Sequence, residues 1–301
     1  MQPRRVRSAI LTAALVVVGA ALVASPAAAE QPATYYVSMG DSLAAGYQPA
    51  GNARISYTDK IYAALKAGEP GLVHINFGCD GETSVTMVNG GKCTYEGAAS
   101  QLDAAAQFVG AHRGEVKYVT NNIGANDIYR CVSGSTPDIG CIVTNLAAIQ
   151  SNLATVDSGL RDAGGNDAVY VGMTYYNPML ASWLKGGTSR VIAAGTTAAN
   201  NILTQTIALT NSANGWKTAD VSEAFSNNDF TQVDLPGVGA VPKNVAQVCT
   251  WTWMCKLGDI HANDAGHQVI ADTFLPLLTT DAPGGAAGSL GSFGALGALV
   301  G

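Results

Sequence analysis

The sequence predicts an α/β fold, a three-layer α/β/α sandwich built on a parallel five-stranded sheet. Three observations carry this. Short β-rich apolar runs alternate with longer helical patterns along most of the chain. Strands separated by helices are joined by crossovers, which pair them in parallel and put helices on both faces. At 301 residues, 48% hydrophobic and 13% charged, the chain also has enough apolar surface to offset the entropy of folding.

Taken in order, residues 35–39 read as the first strand and a helix follows near 59–67. Residues 73–77 form a second strand and 98–111 a second helix. A third strand at 116–120 ends at Asn121-Asn122. Helical character returns over 142–163, a fourth strand occupies 168–173, a long helix 189–212, and a fifth strand 217–221. A last helix fits 265–278, capped by Asn263 or Asp264. Parallel sheets bind ligands beyond the carboxyl ends of their strands. The loops after the first three strands hold most of the polar residues discussed below.

The two ends are set apart from this domain, which is expected over residues 30–282. Residues 1–29 have the layout of a cleaved signal peptide. Arg4, Arg5 and Arg7 form a basic start, an apolar run follows, and Ala27-Ala28-Ala29 precedes Glu30. The run is too short and Ala-rich for a membrane span, so secretion is expected and stable membrane insertion is not. Residues 283–301 are rich in Gly and Ala, with glycine at 288, 291, 294 and 297, and read as a flexible tail. Loss of three arginines with the signal leaves 13 basic against 22 acidic residues, a formal net of −9. No Lys/Arg cluster survives, so nucleic acid is not an expected partner.

Six cysteines in an exported chain imply disulfides. They fall as neighbours, and the expected pairs are Cys79–Cys93, Cys131–Cys141 and Cys249–Cys255. No pair has Cys-x-x-Cys spacing and no His stands at zinc spacing beside them, so a metal site is not expected.

Gly-x-Ser-x-Gly, the usual nucleophile elbow of α/β-hydrolases, is absent. Ser182-Trp183-Leu184-Lys185 matches Ser-x-x-Lys but lacks that motif's partner segments. The stronger candidate nucleophile is Ser42 in Gly40-Asp41-Ser42-Leu43, just past the first strand where a helix begins. Backbone N–H groups at such a turn can donate to a developing oxyanion. The segment alone reads equally well as a turn in which Ser42 is an N-cap serine.

Three further segments change the weight of that reading. Gly78-Cys79-Asp80-Gly81-Glu82-Thr83, Gly124-Ala125-Asn126-Asp127 and Asp259-Ile260-His261-Ala262-Asn263 follow in order across residues 40–261. With Gly40-Asp41-Ser42-Leu43 they resemble the four dispersed blocks of the GDSL, or SGNH, hydrolase family, and overall the chain is most similar to its secreted actinobacterial lipases and esterases. The resemblance implies a flavodoxin-like sheet of the SGNH hydrolase type and carboxylic ester hydrolysis without a cofactor. It also implies Ser42 as nucleophile, His261 as general base, and an oxyanion hole made by Ser42, Gly81 and Asn126.

Histidine suits the base role because its unperturbed pKa is about 6.5. His74 lies in a strand, His112 at a helix end and His267 on the last helix, so His261 is preferred. One departure stands out. The family's last block is Asp-x-x-His, yet three residues before His261 stands Gly258, and the nearest acid is Asp259. The orienter of the imidazole is therefore either Asp259 or a main-chain carbonyl, with Gly258 the first candidate. A Ser–His dyad stays open, and on that reading Asp259→Asn retains much of the activity.

The expected partner is a small-molecule or lipid ester, handled by a monomer. Trp251, Trp253 and Met254 either line an acyl pocket or pack the Cys249–Cys255 loop. Two other readings remain: a carbohydrate acetylesterase with the same catalytic residues, and a non-catalytic exported binding protein.

Overall fold

The computed structural model describes residues 32–49, 51, 53–133 and 136–279, so the signal and tail readings lie outside the described residues. Five parallel strands form the central sheet: β1 (Thr34–Gly40), β2 (Leu72–Asn76), β3 (Val116–Asn122), β4 (Val169–Met173) and β5 (Lys217–Ala219). Their order is β2-β1-β3-β4-β5. The chain leaves β1 toward one edge and returns past it to β3, so the β1/β3 boundary is the topological switch point.

β4 is buried along its whole length and β1 along its last five residues, as expected of strands covered on both faces. β2 is an edge strand and only partly buried. Helices α2 (Tyr57–Gly68) and α11 (Asp264–Thr279) pack together on one face; α4 (Gln101–Ala111), α6 (Ile139–Gly164) and α7 (Thr188–Ala213) cover the other. One large core between the layers runs from Tyr36 and Val37 through Val119 and Val171 to Ile270 and Phe274.

Where observed boundaries depart from the sequence reading, capping explains them. α4 starts at Gln101 because the Ser100 hydroxyl accepts from the Asp103 N–H. α6 starts three residues early because Asp138 caps it through the Cys141 N–H. β5 stops at Ala219 because Asp220 caps the short α8 (Val221–Ala224). On the last helix, the Asn263 side chain accepts from the Gly266 N–H at 3.0 Å.

The disulfides are Cys79–Cys93, Cys131–Cys141 and Cys249–Cys255, each closing one local loop. Residues 221–263 form structure that the strand–helix alternation does not announce. A hairpin of β6 (Gln232–Leu235) and β7 (Gly239–Pro242) leads into α9 (Lys243–Trp251) and α10 (Met254–Leu257). With the 3₁₀ helix Pro178–Lys185 they enclose a second small core around Leu180, Val241, Val245 and Val248. Ser182 lies in that 3₁₀ helix, its buried hydroxyl unpartnered among the described residues.

Candidate active site

Gly40 ends β1 with φ +141°, and a Cβ there would stand 2.1 Å from Asn122 Oδ1 and 2.6 Å from the Asn122 carbonyl. No other residue fits so close to β3. Asp41 follows as the N-cap of α1 (Ser42–Ala45), accepting from the Leu43 N–H at 2.9 Å. The cap is thus the aspartate, and Ser42 is the first helical residue, with its own N–H in the unpaired first turn. Gly46 closes the turn in the left-handed region at φ +78°.

A buried network holds this turn. Asn122 Nδ2 donates to Asp41 Oδ1 at 2.7 Å, the Tyr175 hydroxyl to Asp41 Oδ2 at 2.7 Å, and the Tyr57 hydroxyl to Asn122 Oδ1 at 2.8 Å. Burial pushes the Asp41 carboxyl above its ordinary pKa, and the bonds from Leu43, Tyr175 and Asn122 oppose that rise. Gln101 grips Gly40 from the other side. Its Oε1 accepts from the Gly40 N–H at 2.7 Å, and its Nε2 donates to the Gly40 carbonyl at 3.1 Å and to Glu82 Oε2 at 3.1 Å. Asp41 is a structural cap rather than Ser42, which the sequence offered for that place.

His261 arrives from the opposite side, on the loop between α10 and α11. Its Nε2 lies 2.7 Å from Ser42 Oγ, and its Nδ1 lies 2.7 Å from Asp259 Oδ1. The same Asp259 oxygen accepts from the His261 backbone N–H at 2.9 Å. That two-residue reach is an Asx turn, which brings the carboxylate to the ring although the aspartate precedes the histidine by two positions. Gly258 serves elsewhere: it ends α10 in the left-handed region and donates its N–H to the Met254 carbonyl.

Several contacts pin the loop. The Trp253 N–H donates to the His261 carbonyl at 2.9 Å, the Tyr176 hydroxyl to the Ile260 carbonyl at 2.8 Å, and Gln48 Nε2 to the Ala262 carbonyl at 3.1 Å. The Tyr47 ring packs on the imidazole with centroids 4.5 Å apart.

The remaining named positions surround this pair unequally. Asn126 lies at the start of α5 (Ala125–Tyr129), after Gly124 at φ +119°. Its Nδ2 donates to the Glu82 carbonyl at 2.8 Å, which engages one of its two amide hydrogens. Gly81 is exposed in the turn closed by Glu82 N–H and the Cys79 carbonyl, with φ +74°. The Cys79 N–H donates in turn to the Gly40 carbonyl at 3.0 Å. Ser42, Asn126 and His261 line one cleft, whereas Gly81 stands in the adjoining turn outside its lining. Asp127 faces inward, accepting from the Ser84 N–H and hydroxyl at 2.8 Å each.

The other histidines are built into the fold. His74 stacks on Tyr36 and bonds to the Ser38 hydroxyl, and His112 pairs with Glu115. His267 is fully buried without a partner for either ring nitrogen among the described residues; burial drives its pKa down to about 3. Of the tryptophan-loop residues, Trp251 packs edge-on against Phe225 and Trp253 donates its indole N–H to Gln48 Oε1 at 2.8 Å. Met254 packs on the second core. None of the three lines the cleft.

Sequence reading missed Gln101, Asn122, Tyr175 and Tyr176. Asn122, the end of a strand that turns polar at Asn121-Asn122, was the one with a visible signal.

The fold and the site define a class: a flavodoxin-like α/β/α domain with a hydrogen-bonded Ser–His–Asp chain at its switch point. A family model described as the GDSL-like lipase/acylhydrolase family matches residues 38–269. The chain belongs to that family, and so to the ester hydrolases. In structure it is similar to an extracellular lipase from Streptomyces rimosus at 18% identity and TM-score 0.50, covering 82% of this chain and 98% of that one. It is similar to TesA at 15% identity and TM-score 0.50, with 82% and 98% covered. Phospholipase A1 from Streptomyces albidoflavus aligns at 17% identity and TM-score 0.43, again over 82% and 98%. At these identities the shared property is the fold. Comparison with curated proteins gave no match.

Proposed function

We propose that the chain is a secreted serine esterase that hydrolyses carboxylic esters through an acyl-enzyme on Ser42. The observation that carries the reading is the continuous chain Ser42 Oγ–His261 Nε2 and His261 Nδ1–Asp259 Oδ1, each link 2.7 Å. In the cycle His261 Nε2 takes the hydroxyl proton as Ser42 Oγ attacks the ester carbonyl. The Ser42 and Gly81 N–H groups and the free Asn126 amide hydrogen receive the oxyanion. His261 then returns the proton to the leaving alkoxide oxygen, and water repeats the sequence on the acyl group. Asp259 keeps the proton of the neutral ring on Nδ1 and offsets the imidazolium charge.

The carboxylate at position 259 speaks against the non-catalytic reading, whose argument was the missing acid. The three disulfides and the signal-like start support an extracellular enzyme comprising residues 30–282 with the tail. The test is labelling of the folded protein with a fluorophosphonate probe, followed by peptide mapping. Modification confined to Ser42 and lost in Ser42→Ala is expected, and an unlabelled Ser42 refutes the proposal.

A further inference from the structure

The cleft beside Ser42 is small, a cavity of about 20 Å³. Pockets that take whole drug-sized ligands occupy roughly 300–1,000 Å³. Three tyrosines, Tyr129, Tyr175 and Tyr176, line it together with Ser42, Asn126 and His261. Two of these tyrosines cannot swing away. The Tyr175 hydroxyl is bonded to Asp41, and the Tyr176 hydroxyl to the Ile260 carbonyl. Behind Tyr176 the stack continues: Phe225 lies on it with centroids 4.6 Å apart, and Trp251 meets Phe225 edge-on at 5.1 Å. Phe225 is fully buried, so Tyr176 is backed by packed aromatic core rather than by open space.

Tyr129 is the third ring and differs from the other two. It stands three residues after Asn126 on the five-residue α5, which puts both side chains on the same helix face, toward Ser42. Its hydroxyl has no partner among the described residues, so its position is set by packing alone.

Building on the esterase reading above, we propose that the enzyme acts on esters of short acyl groups, acetyl to butyryl, and that Tyr129 sets this limit. A longer acyl chain attached at Ser42 would have to pass through the plane of these rings. Where a pocket is closed, each methylene in excess or deficit changes discrimination by roughly 10- to 200-fold. The alcohol side of the substrate leaves through the open mouth and is less restricted.

The test is hydrolysis of p-nitrophenyl acetate, butyrate and octanoate by the full-length secreted protein, each below its micellar concentration. kcat/KM is expected to be highest at acetate or butyrate and at least tenfold lower at octanoate. In Tyr129→Ala the octanoate-to-acetate ratio is expected to rise at least tenfold, and in Tyr129→Phe, which keeps the ring, to stay within threefold of wild type. A wild-type optimum at octanoate overturns the short-acyl proposal while leaving the esterase reading intact. An unchanged ratio in Tyr129→Ala overturns the role of Tyr129. Absence of turnover on all three esters together with an unlabelled Ser42 overturns the esterase reading, and this proposal with it. If Tyr129→Ala fails to fold, the wild-type profile alone still decides the chain-length limit.

Discussion

The nucleophile turn and the base loop meet at one 2.7 Å hydrogen bond but are built by opposite means. Gly40, Asp41 and Ser42 sit at the end of a buried strand, and almost every polar atom around them is bonded to something equally buried: Asn122, Tyr175, Tyr57, Gln101. His261 and Asp259 sit on a half-exposed loop outside the strand–helix alternation, held by three hydrogen bonds to its backbone and one ring contact. Ser42, the proposed nucleophile, is therefore presented by the fold itself, whereas His261, the proposed base, is delivered to it. Damage to the first should appear as lost stability, and damage to the second as lost rate.

The largest expected effect separates these two outcomes most cleanly. Asp259→Asn keeps the shape of the Asx turn but can no longer hold the ring proton on Nδ1 while leaving Nε2 free to accept. A loss on the order of 10⁴-fold in kcat is expected, by analogy with the effect of exchanging a triad aspartate for its amide. The thermal midpoint should stay within about 2 °C, as for a substitution that removes no core packing. The Nδ1–Asp259 bond favours a triad over the dyad, under which this variant stays active; a kcat above a third of wild type would favour the dyad instead.

Gly40→Ala should do the reverse. The added methyl meets backbone and a fixed side chain of β3, and neither can retreat without breaking the Asp41 network. Destabilisation of more than about 3 kcal/mol is expected in urea unfolding, from overpacking combined with an unfavourable φ. A loss below about 1 kcal/mol would mean that the turn is softer than its bonding indicates.

The smallest effect concerns His267, six residues past the base and fully buried. Its folded pKa is depressed to about 3, against about 6.5 in the unfolded chain. The unfolded state thus takes up the proton first, so stability is intact above pH 6.5 and falls as pH drops toward 3. His267→Leu should remove that component, flattening the acid side of the stability profile by about 2–3 kcal/mol at pH 4.5. If the stability curves of the two proteins superimpose from pH 8 to 4, His267 is not the group responsible.

The same division explains what could be read in the sequence. All five strands and their flanking helices were visible because buried parallel strands are continuous apolar runs and the helices between them are long. Errors at the boundaries came from capping by Ser100, Asp138 and Asp220, where one side chain outweighs the periodicity. Residues 221–263 stayed illegible because their short helices and hairpin owe their shape to packing on the 3₁₀ helix, not to local pattern. In the site, Ser42, Asn126 and His261 were legible as motif positions. Asp259 was undecided because a spacing of two is silent about whether an Asx turn forms. Tyr175 and Tyr176 follow a buried strand whose sequence gives no sign of which element their hydroxyls reach.

The disulfides have a consequence for how the chain matures. Each joins cysteines at most 14 residues apart and none encloses another. Closure of such short segments costs little chain entropy, and the effective concentration of each partner thiol is highest for its native neighbour. Each bridge can therefore form as soon as its own segment meets an oxidising environment, before the sheet is complete and independently of the other two. Oxidation then needs no particular sequence of events and little correction of mispaired forms. An ester hydrolase whose His261 loop is stapled separately from the rest can be assembled piece by piece.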